Sequence, residues 1–488
     1  MRAIWALLTN VKFAVFQISL IVVAGLIGTL VRQIPSFALR DFGAYQRELQ
    51  DLHARYDGAA ILGWQFGPAM VDLFERLGFF RVFSSAWFAA LATILVISIV
   101  ACTLDRLPRL WREAREVRVV QAESYFEPRL PHRALVGGAS PDAEGRAGEG
   151  LLSADAVAAA LARRGYAVTR APAPDATFVY GDRHRYSKLA TLLTHTGLVL
   201  FLVGGAVTGT LGYETVVFLA DGQSAPVQPV GTPDNLLVKN LGFAAPRHPD
   251  GTFADFYSDI VVYRDGVELA RKRIRVNDPL TVAGFTFHQN TFGPAEALEI
   301  RAPDGQLLWA GPVILDGEAL GFPAGTTAIP GTDVGLQLVL AREDGGVPFL
   351  AIVGYRQAPG AQAAEVLFAD RLAIGEATAP ETTGFTIRWT GASAWTGMVV
   401  KADPGAGIVW IAFASLISGL FLTFYLPRRR VWARVVGGQV GLVLRGERYV
   451  AVDRELAELV GVLRERALRD RAAPSPTAHE PASSGPVG

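Results

Sequence analysis

Four uncharged or nearly uncharged apolar runs constrain this chain more than any other feature. They are Phe13–Val31, Phe83–Leu104, Leu189–Leu211 and Ile408–Leu426. Each is about 19 residues or longer, which at 1.5 Å per helical residue crosses a ~30 Å hydrocarbon core. The first run is followed by Arg32-Gln33-Ile34-Pro35 and has no small-residue cleavage site, so it reads as an uncleaved anchor rather than a signal peptide. Half of the 488 residues are hydrophobic and 19% are charged. That is too apolar for one soluble domain and too polar for a bundle of spans alone, so a sizeable water-soluble part is expected beside the spans.

Basic residues beside the runs set the orientation. Arg2 and Lys12 precede the first span, and Arg106, Arg109, Arg112, Arg115 and Arg118 follow the second. Arg183, Arg185 and Lys188 lead into the third, and Arg428, Arg429, Arg430 and Arg434 follow the fourth. Positive clusters mark the cytoplasmic side. The reading is a multi-pass protein of the cell membrane with both termini inside. Residues 1–104 hold the first two spans and a short outer loop, and 105–188 form a cytoplasmic α+β loop. Residues 189–211 are the third span, 212–407 an extracytoplasmic domain and 408–426 the fourth span. Residues 427–488 are a cytoplasmic tail, disordered after about 472. Between 212 and 404 there are 22 acidic side chains against 13 basic.

Within the loops the pattern is finer. Asp41–Arg55 and Pro68–Leu77 place apolar residues at helical spacing, which predicts interfacial helices. The arginines from 106 onward step by three and predict a helix lined with arginine on one face. Gly137–Gly150 reads as a flexible linker. Ser153 is placed to cap a helix that stops at Gly165, and Tyr166–Thr169 and Thr177–Tyr180 alternate as a strand pair. In 212–404, β-branched and aromatic runs at 215–219, 259–264, 280–282, 285–287, 336–340, 349–353 and 385–389 predict strands. Asp265-Gly266 and Asp304-Gly305 are tight-turn signals between them. The fold class expected is an α+β membrane protein: four transmembrane helices, with a β-rich sandwich or open barrel between the third and fourth.

Chemistry is sparse. A balanced charge of 46 basic and 46 acidic residues argues against nucleic acid as a partner. One cysteine, Cys102, excludes an intrachain disulfide and a CxxC pair, and its place in the second span reads as a small buried apolar residue. No nucleophile elbow, phosphate loop, HExxH or paired-carboxylate motif is found, so no catalytic residue is assigned. Of seven histidines, His53, His132, His184, His248 and His479 lie in loops or the tail, and His288 lies in a strand-like run with no second histidine at metal spacing. His195 stands apart because it falls inside a span, where an ionisable side chain is costly and marks a functional site by default. Two readings stand: a histidine hydrogen-bonded to a neighbouring helix, or a neutral imidazole ligating haem iron. Gly197, Gly204 and Gly205 on the same helix would admit a flat macrocycle or another helix at close range.

The order of several short stretches resembles the ResB/CcsB family of cytochrome c biogenesis, the System II apparatus. They are Gly25-Leu-Ile-Gly-Thr29, Ser85-Ala-Trp-Phe88, Cys102-Thr-Leu-Asp-Arg-Leu-Pro108 and Thr194-His195-Thr-Gly197. Further along come Val276-Asn-Asp-Pro-Leu280, Gly284-Phe-Thr-Phe-His-Gln289, Ala402-Asp-Pro-Gly405 and Arg428-Arg-Arg-Val-Trp432. The likeness covers residues 1–435. It implies a haem-handling, non-catalytic or accessory subunit that works with a ResC/CcsA membrane partner to export haem and attach it to CxxCH apocytochromes. It also implies non-covalent haem b, held through the intramembrane histidine, here His195. Two departures bound the likeness. The partner's Trp-rich haem-presenting motif is absent, so the chain is not a fused synthetase, and the outer region has no cysteine for covalent haem chemistry or thiol reduction. The competing reading is a membrane-anchored extracytoplasmic interaction scaffold without a cofactor.

The orientation is checked with reporter fusions. A phosphatase fused at Gly305 should be active and one fused at Gly145 silent; the reverse pattern would invert the topology.

Overall fold

The computed structural model describes residues 2–35, 38–40, 42–58, 60–61, 64–65, 67–138, 151–227, 235–342, 346–356 and 364–472. Most of the 137–150 linker and the tail after 472 lie outside these residues. The chain divides into two units. One comprises residues 1–31, 81–206 and 406–488, the other 32–80 and 207–405.

In the first unit, four helices are long and apolar enough to cross a membrane: Val11–Leu30, Ala86–Arg115, Ser187–Leu211 and Ala406–Tyr425. Their outward faces carry exposed Phe16, Val22, Ile97, Trp410, Ile417 and Phe421. Such surfaces are stable in lipid and unfavourable in water. Asn10 caps the first helix by accepting from the Lys12 amide at 2.9 Å, and Ser85 caps the second by accepting from the Phe88 amide. A short helix, Arg2–Leu8, precedes the first span and was not foreseen.

The second span differs from its expected form. It is one helix of 30 residues that runs through Pro108 to Arg115, so the arginine stretch is its continuation. Nor do its arginines line one face. A step of three falls 60° short of a full turn, so Arg106 and Arg115 end on opposite sides of the helix. Arg118 lies beyond the helix end.

The larger correction concerns the expected tail. Residues Arg429–Val436 and Gln439–Gly446 are strands, and Val452–Ala472 is a helix. The two strands turn at Gly437-Gly438, both at positive φ (55° and 83°), the conformation of the tight primed hairpin turn. A β-carbon on Gly438 would come within 2.4 Å of Leu151, so glycine is required there twice over. The hairpin sits centrally in a five-stranded antiparallel sheet, in the order 133–136, 439–446, 429–436, 176–183, 167–173. Strands of one sheet cannot lie on opposite sides of a bilayer, so the 105–188 loop and the C-terminal segment share a side.

Both faces of this sheet are packed. Helix Ala154–Arg163 and the C-terminal helix cover one of them. Leu456, Leu459, Leu463 and Ala467 form the helical stripe, set on Val179, Val431, Ala433, Leu442 and Leu444. The other face stacks Phe178, Tyr180 and Trp432 against Phe126. The cap read at Ser153 is present, with Oγ accepting from the Ala156 amide at 3.1 Å, and Gly165 follows the helix at φ 77°. The predicted strand pair appears as Ala167–Ala173 and Ala176–Arg183.

Where this sheet meets the helices, Arg428 is buried to 1% side-chain exposure and forms a bidentate pair with Asp182, at 3.0 and 2.6 Å. Its third nitrogen donates to the Glu113 carbonyl at the end of the second helix, and Tyr180 donates to the same carboxylate. Arg185 donates to the Ala114 and Arg115 carbonyls, which the helix end leaves unpaired.

The second unit contains the two expected helices, Phe42–Tyr56 and Pro68–Arg76, pinned by Tyr45–Glu75 and by His53 with Asp57 and Asp72. Its β-rich part is built on two 17-residue strands, Phe285–Arg301 and Thr386–Ala402, paired antiparallel along their whole length. One end of this ribbon shares a core with a four-stranded sheet through Phe287, Met398, Val400, Val238, Ile260 and Ile274. The other end shares a core with a five-stranded sheet through Leu298, Ile300, Trp389, Leu336, Leu338 and Ile352. Asp265-Gly266 and Asp304-Gly305 make the predicted turns. Strands Leu236–Ala244, Phe322–Ala328 and Glu365–Leu372 were not anticipated.

Replacing Arg428 with Met leaves Asp182 buried and unpaired, which should cost about 3–5 kcal/mol. An Arg428→Met/Asp182→Leu double variant should recover much of the loss. The thermal midpoint of the purified chain in detergent reads both; equal loss in the two variants would show that the ion pair is not the source.

Candidate functional site

Packing between the third and fourth spans fixes the orientation of His195. A β-carbon on Gly197 would lie 2.9 Å from the Ala412 carbonyl, and one on Gly419 would lie 2.8 Å from the Thr194 amide nitrogen. The helices therefore touch backbone to backbone at these glycines, and Ser415 Oγ donates to the Leu193 carbonyl at 2.8 Å. His195 is two residues from Gly197, hence 200° around the helix. With Gly197 pressed to the fourth span, His195 points to the second. Gly197 thus admits a helix, not a macrocycle; Gly204 is buried, and Gly205 has open space beside it.

His195 Nδ1 lies 2.9 Å from Thr103 Oγ1, and that hydroxyl lies 2.7 Å from the Ile99 carbonyl on its own helix. A threonine hydroxyl has one proton. Donated to Ile99, it leaves only lone pairs for the imidazole, so Nδ1 carries the proton and donates it. Nε2 is then a bare lone pair, with no hydrogen-bond partner among the described residues. A fixed tautomer held from its far nitrogen is the arrangement of a histidine that ligates a metal.

A groove of about 250 Å³ adjoins the ring, walled by Ile99, Val100, Leu104, Val199 and Leu200. Such a space is below the usual range for a drug-sized ligand, so a flat macrocycle would fit it only in part. The residues present would suit a single axial imidazole ligand in apolar surroundings.

A family model for the ResB-like family matches residues 11–452. The chain belongs to the ResB-like family. Curated proteins named cytochrome c biogenesis protein CcsB are similar along nearly the whole length. One from Gloeobacter violaceus is 27% identical, covering 94% of this chain and 90% of its own. One from Microcystis aeruginosa is 25% identical over 93% of each, and one from Thermosynechococcus vestitus 25% identical over 93% of this chain and 96% of its own. The match to the ResB-like family begins at the first span and takes in the C-terminal strand pair that the sequence reading treated as tail.

Cys102, His132 and His184 have structural partners. Cys102 is buried, its thiol 3.4 Å from the Leu8 carbonyl. His132 pairs with Asp453, and His184 Nδ1 lies 3.2 Å from the Pro427 carbonyl. His288 is half-buried in the long ribbon, where burial and then Lys401 push its imidazole down while Glu214 opposes them. His479 lies outside the described residues. No group of three metal-ligating side chains occurs among the described residues. The sequence reading missed Thr103, although it quoted the stretch that contains it. It also passed over Gln17 and Ser98, buried in the first two spans with side-chain oxygens that lack hydrogen bonds.

One acid in the β-rich part stands out. Glu296 is 1% exposed and accepts from Trp389 Nε1 at 2.7 Å. Burial pushes its carboxyl up from the ordinary 4.5 to about 7, against the opposing Trp389 hydrogen bond. Unfolded, the group loses its proton near pH 4.5; folded, it holds the proton to about 7. Stability should therefore fall as pH rises through that window and level off above it, by on the order of 3 kcal/mol at most. Glu296→Gln should remove this slope from the thermal midpoint measured against pH; parallel curves for the two proteins would contradict it.

Proposed function

We propose that this chain is the haem-handling subunit of a System II cytochrome c assembly apparatus. In this reading it works with a ResC/CcsA-type membrane partner to carry haem outward and present it for attachment to CxxCH apocytochromes. Haem b is cargo, held non-covalently with His195 as an axial ligand. The observation that carries the proposal is the Ile99–Thr103–His195 relay, which turns a bare Nε2 toward an apolar groove inside the bilayer. The names of the CcsB relatives support the pathway.

The chain's own residues have limited tasks here. Thr103 holds the imidazole tautomer. The clasp of Gly197 and Gly419 turns the ring toward the second span. Arg106, one helical turn beyond Thr103, supplies a cation for a haem carboxylate. The small size of the groove supports a half-site that a partner completes. No group in the 212–407 part is assigned a catalytic role, so the chain is an accessory subunit and attachment chemistry belongs to the assembled complex.

For location, we place both termini and the five-stranded sheet in the cytoplasm, and residues 212–407 outside the cell membrane, between the third and fourth spans. Support comes from the arginine clusters and from the sheet that joins the 105–188 loop to the C-terminal strands. The grouping of 32–80 with 207–405 in one unit agrees with two loops on a common side. We read the paired sheets of the outer unit as sandwich-like layers that bind polypeptide by shape.

The test is the haem absorbance of the chain co-purified with its partner. His195→Ala should lose it while the protein still inserts, and added imidazole should restore part of it. Thr103→Val keeps the ligand but frees the ring, and should weaken haem retention about 10–100-fold. Unchanged haem in His195→Ala would refute the ligand role and leave the scaffold reading.

A further inference from the structure

The helix-covered face of the five-stranded sheet ends in a charged cleft. Arg183 closes strand Ala176–Arg183 and Arg429 opens strand Arg429–Val436, and the register sets them directly opposite each other. Like charges facing across an antiparallel pair repel, so the sheet gains nothing from this pairing. Arg164, at the C-terminal end of helix Ala154–Arg163, joins the rim. So do Arg454, Glu455 and Glu458 in the first turns of the C-terminal helix, and the cleft encloses about 310 Å³.

Two carboxylates face four guanidinium groups, and both are committed. Glu455 accepts from Tyr166 Oη at 2.6 Å and lies 3.3 Å from Arg429 Nε. Glu458 lies 3.6 Å from Arg164 and 3.2 Å from Arg454. Among the described residues, the Arg183 side chain has neither an ion pair nor a hydrogen bond. Arg429 Nε is buried and lacks a well-aligned hydrogen bond. The positive end of the C-terminal helix adds to the same field. The cleft has positive charge in excess, a guanidinium fork at Arg183 without an acceptor among the described residues, and room for a small anion.

We propose that this cleft binds a phosphate group. Guanidinium forks match phosphate oxygens in geometry as well as charge. The position suggests one source. Arg183 lies four residues before Ser187, where the third span begins, and Arg429 four residues after Tyr425, where the fourth ends. Four extended residues cover about 14 Å, so lipid headgroups are within reach. A soluble phosphate or phosphomonoester offers the same oxygens. The site is independent of His195 and of what the spans carry.

The test uses the full chain in neutral detergent at low salt. Inorganic phosphate should raise the thermal midpoint of the native protein, with apparent affinity falling about tenfold or more in Arg183→Gln. That variant breaks no ion pair and relieves a repulsion, so its midpoint without phosphate should equal or exceed the native one. Glu458→Gln removes a competing acceptor and should tighten phosphate binding. A second arm places the protein in phosphatidylcholine bilayers with and without phosphatidylglycerol. Retention of phosphatidylglycerol by the native chain and not by Arg183→Gln, without a response to inorganic phosphate, assigns the site to lipid. A response to inorganic phosphate assigns it to a soluble ligand. No response in either arm, or an equal response from Arg183→Gln, overturns the proposal.

Discussion

The bidentate pair between Arg428 and Asp182 holds the membrane half of this protein in register. Both side chains are almost wholly withdrawn from water, so the pair persists only because its geometry is complete: two parallel bonds, Tyr180 on the carboxylate and the Glu113 carbonyl on the remaining guanidinium nitrogen. Those contacts gather the end of the second helix, the strand that leads to the third and the third residue beyond the fourth. Ten residues back from Glu113 is Thr103, and thirteen on from Asp182 is His195. The 2.9 Å contact between Thr103 and His195 thus depends on three chain segments being clamped at their common base.

The same logic separates scaffold from site. At the span interfaces, glycines at 197 and 419 give close backbone approach, which sets rotation about the helix axis. The ion-pair clamp sets height along it. With rotation and height both set, one polar side chain on the second span is enough to fix the imidazole tautomer. The groove beside it is small and apolar.

Much of this was legible in sequence because it is local. Span length, the Ser153 cap, the Asp265-Gly266 turn and the isolated polarity of His195 are each decided within a few residues. Thr103 was not legible, since nothing in its own neighbourhood says that an imidazole 92 residues away will choose its hydroxyl. The strand Arg429–Val436 was hidden by its own charges. Three consecutive arginines read as a membrane flank, yet one is buried, one faces the helix-covered side and one the other side of the sheet. The Gly437-Gly438 pair between two β-branched runs was the signal that could have revealed the hairpin. The sequence reading took only 285–287 from the 17-residue strand 285–301, which runs on through Gly293-Pro294. The ribbon absorbs both beside a bulge at Gln289–Thr291.

The central place of the C-terminal hairpin has a consequence for synthesis. Strands 133–136 and 176–183 are separated in the sheet by residues 429–446, so the first has no partner and the second is paired on one edge only, with 167–173, when they are made. Asp182 waits through 246 residues for Arg428. At ordinary translation rates that interval is roughly ten seconds to a minute, during which open strand edges and a carboxylate without its arginine stay exposed. The sheet closes only after the fourth span has left the ribosome, so its closure reports that every membrane crossing has been made. A chain truncated before Arg429 would display those open edges to proteases and chaperones, and the cell would recognise the unfinished product without inspecting the far side of the membrane.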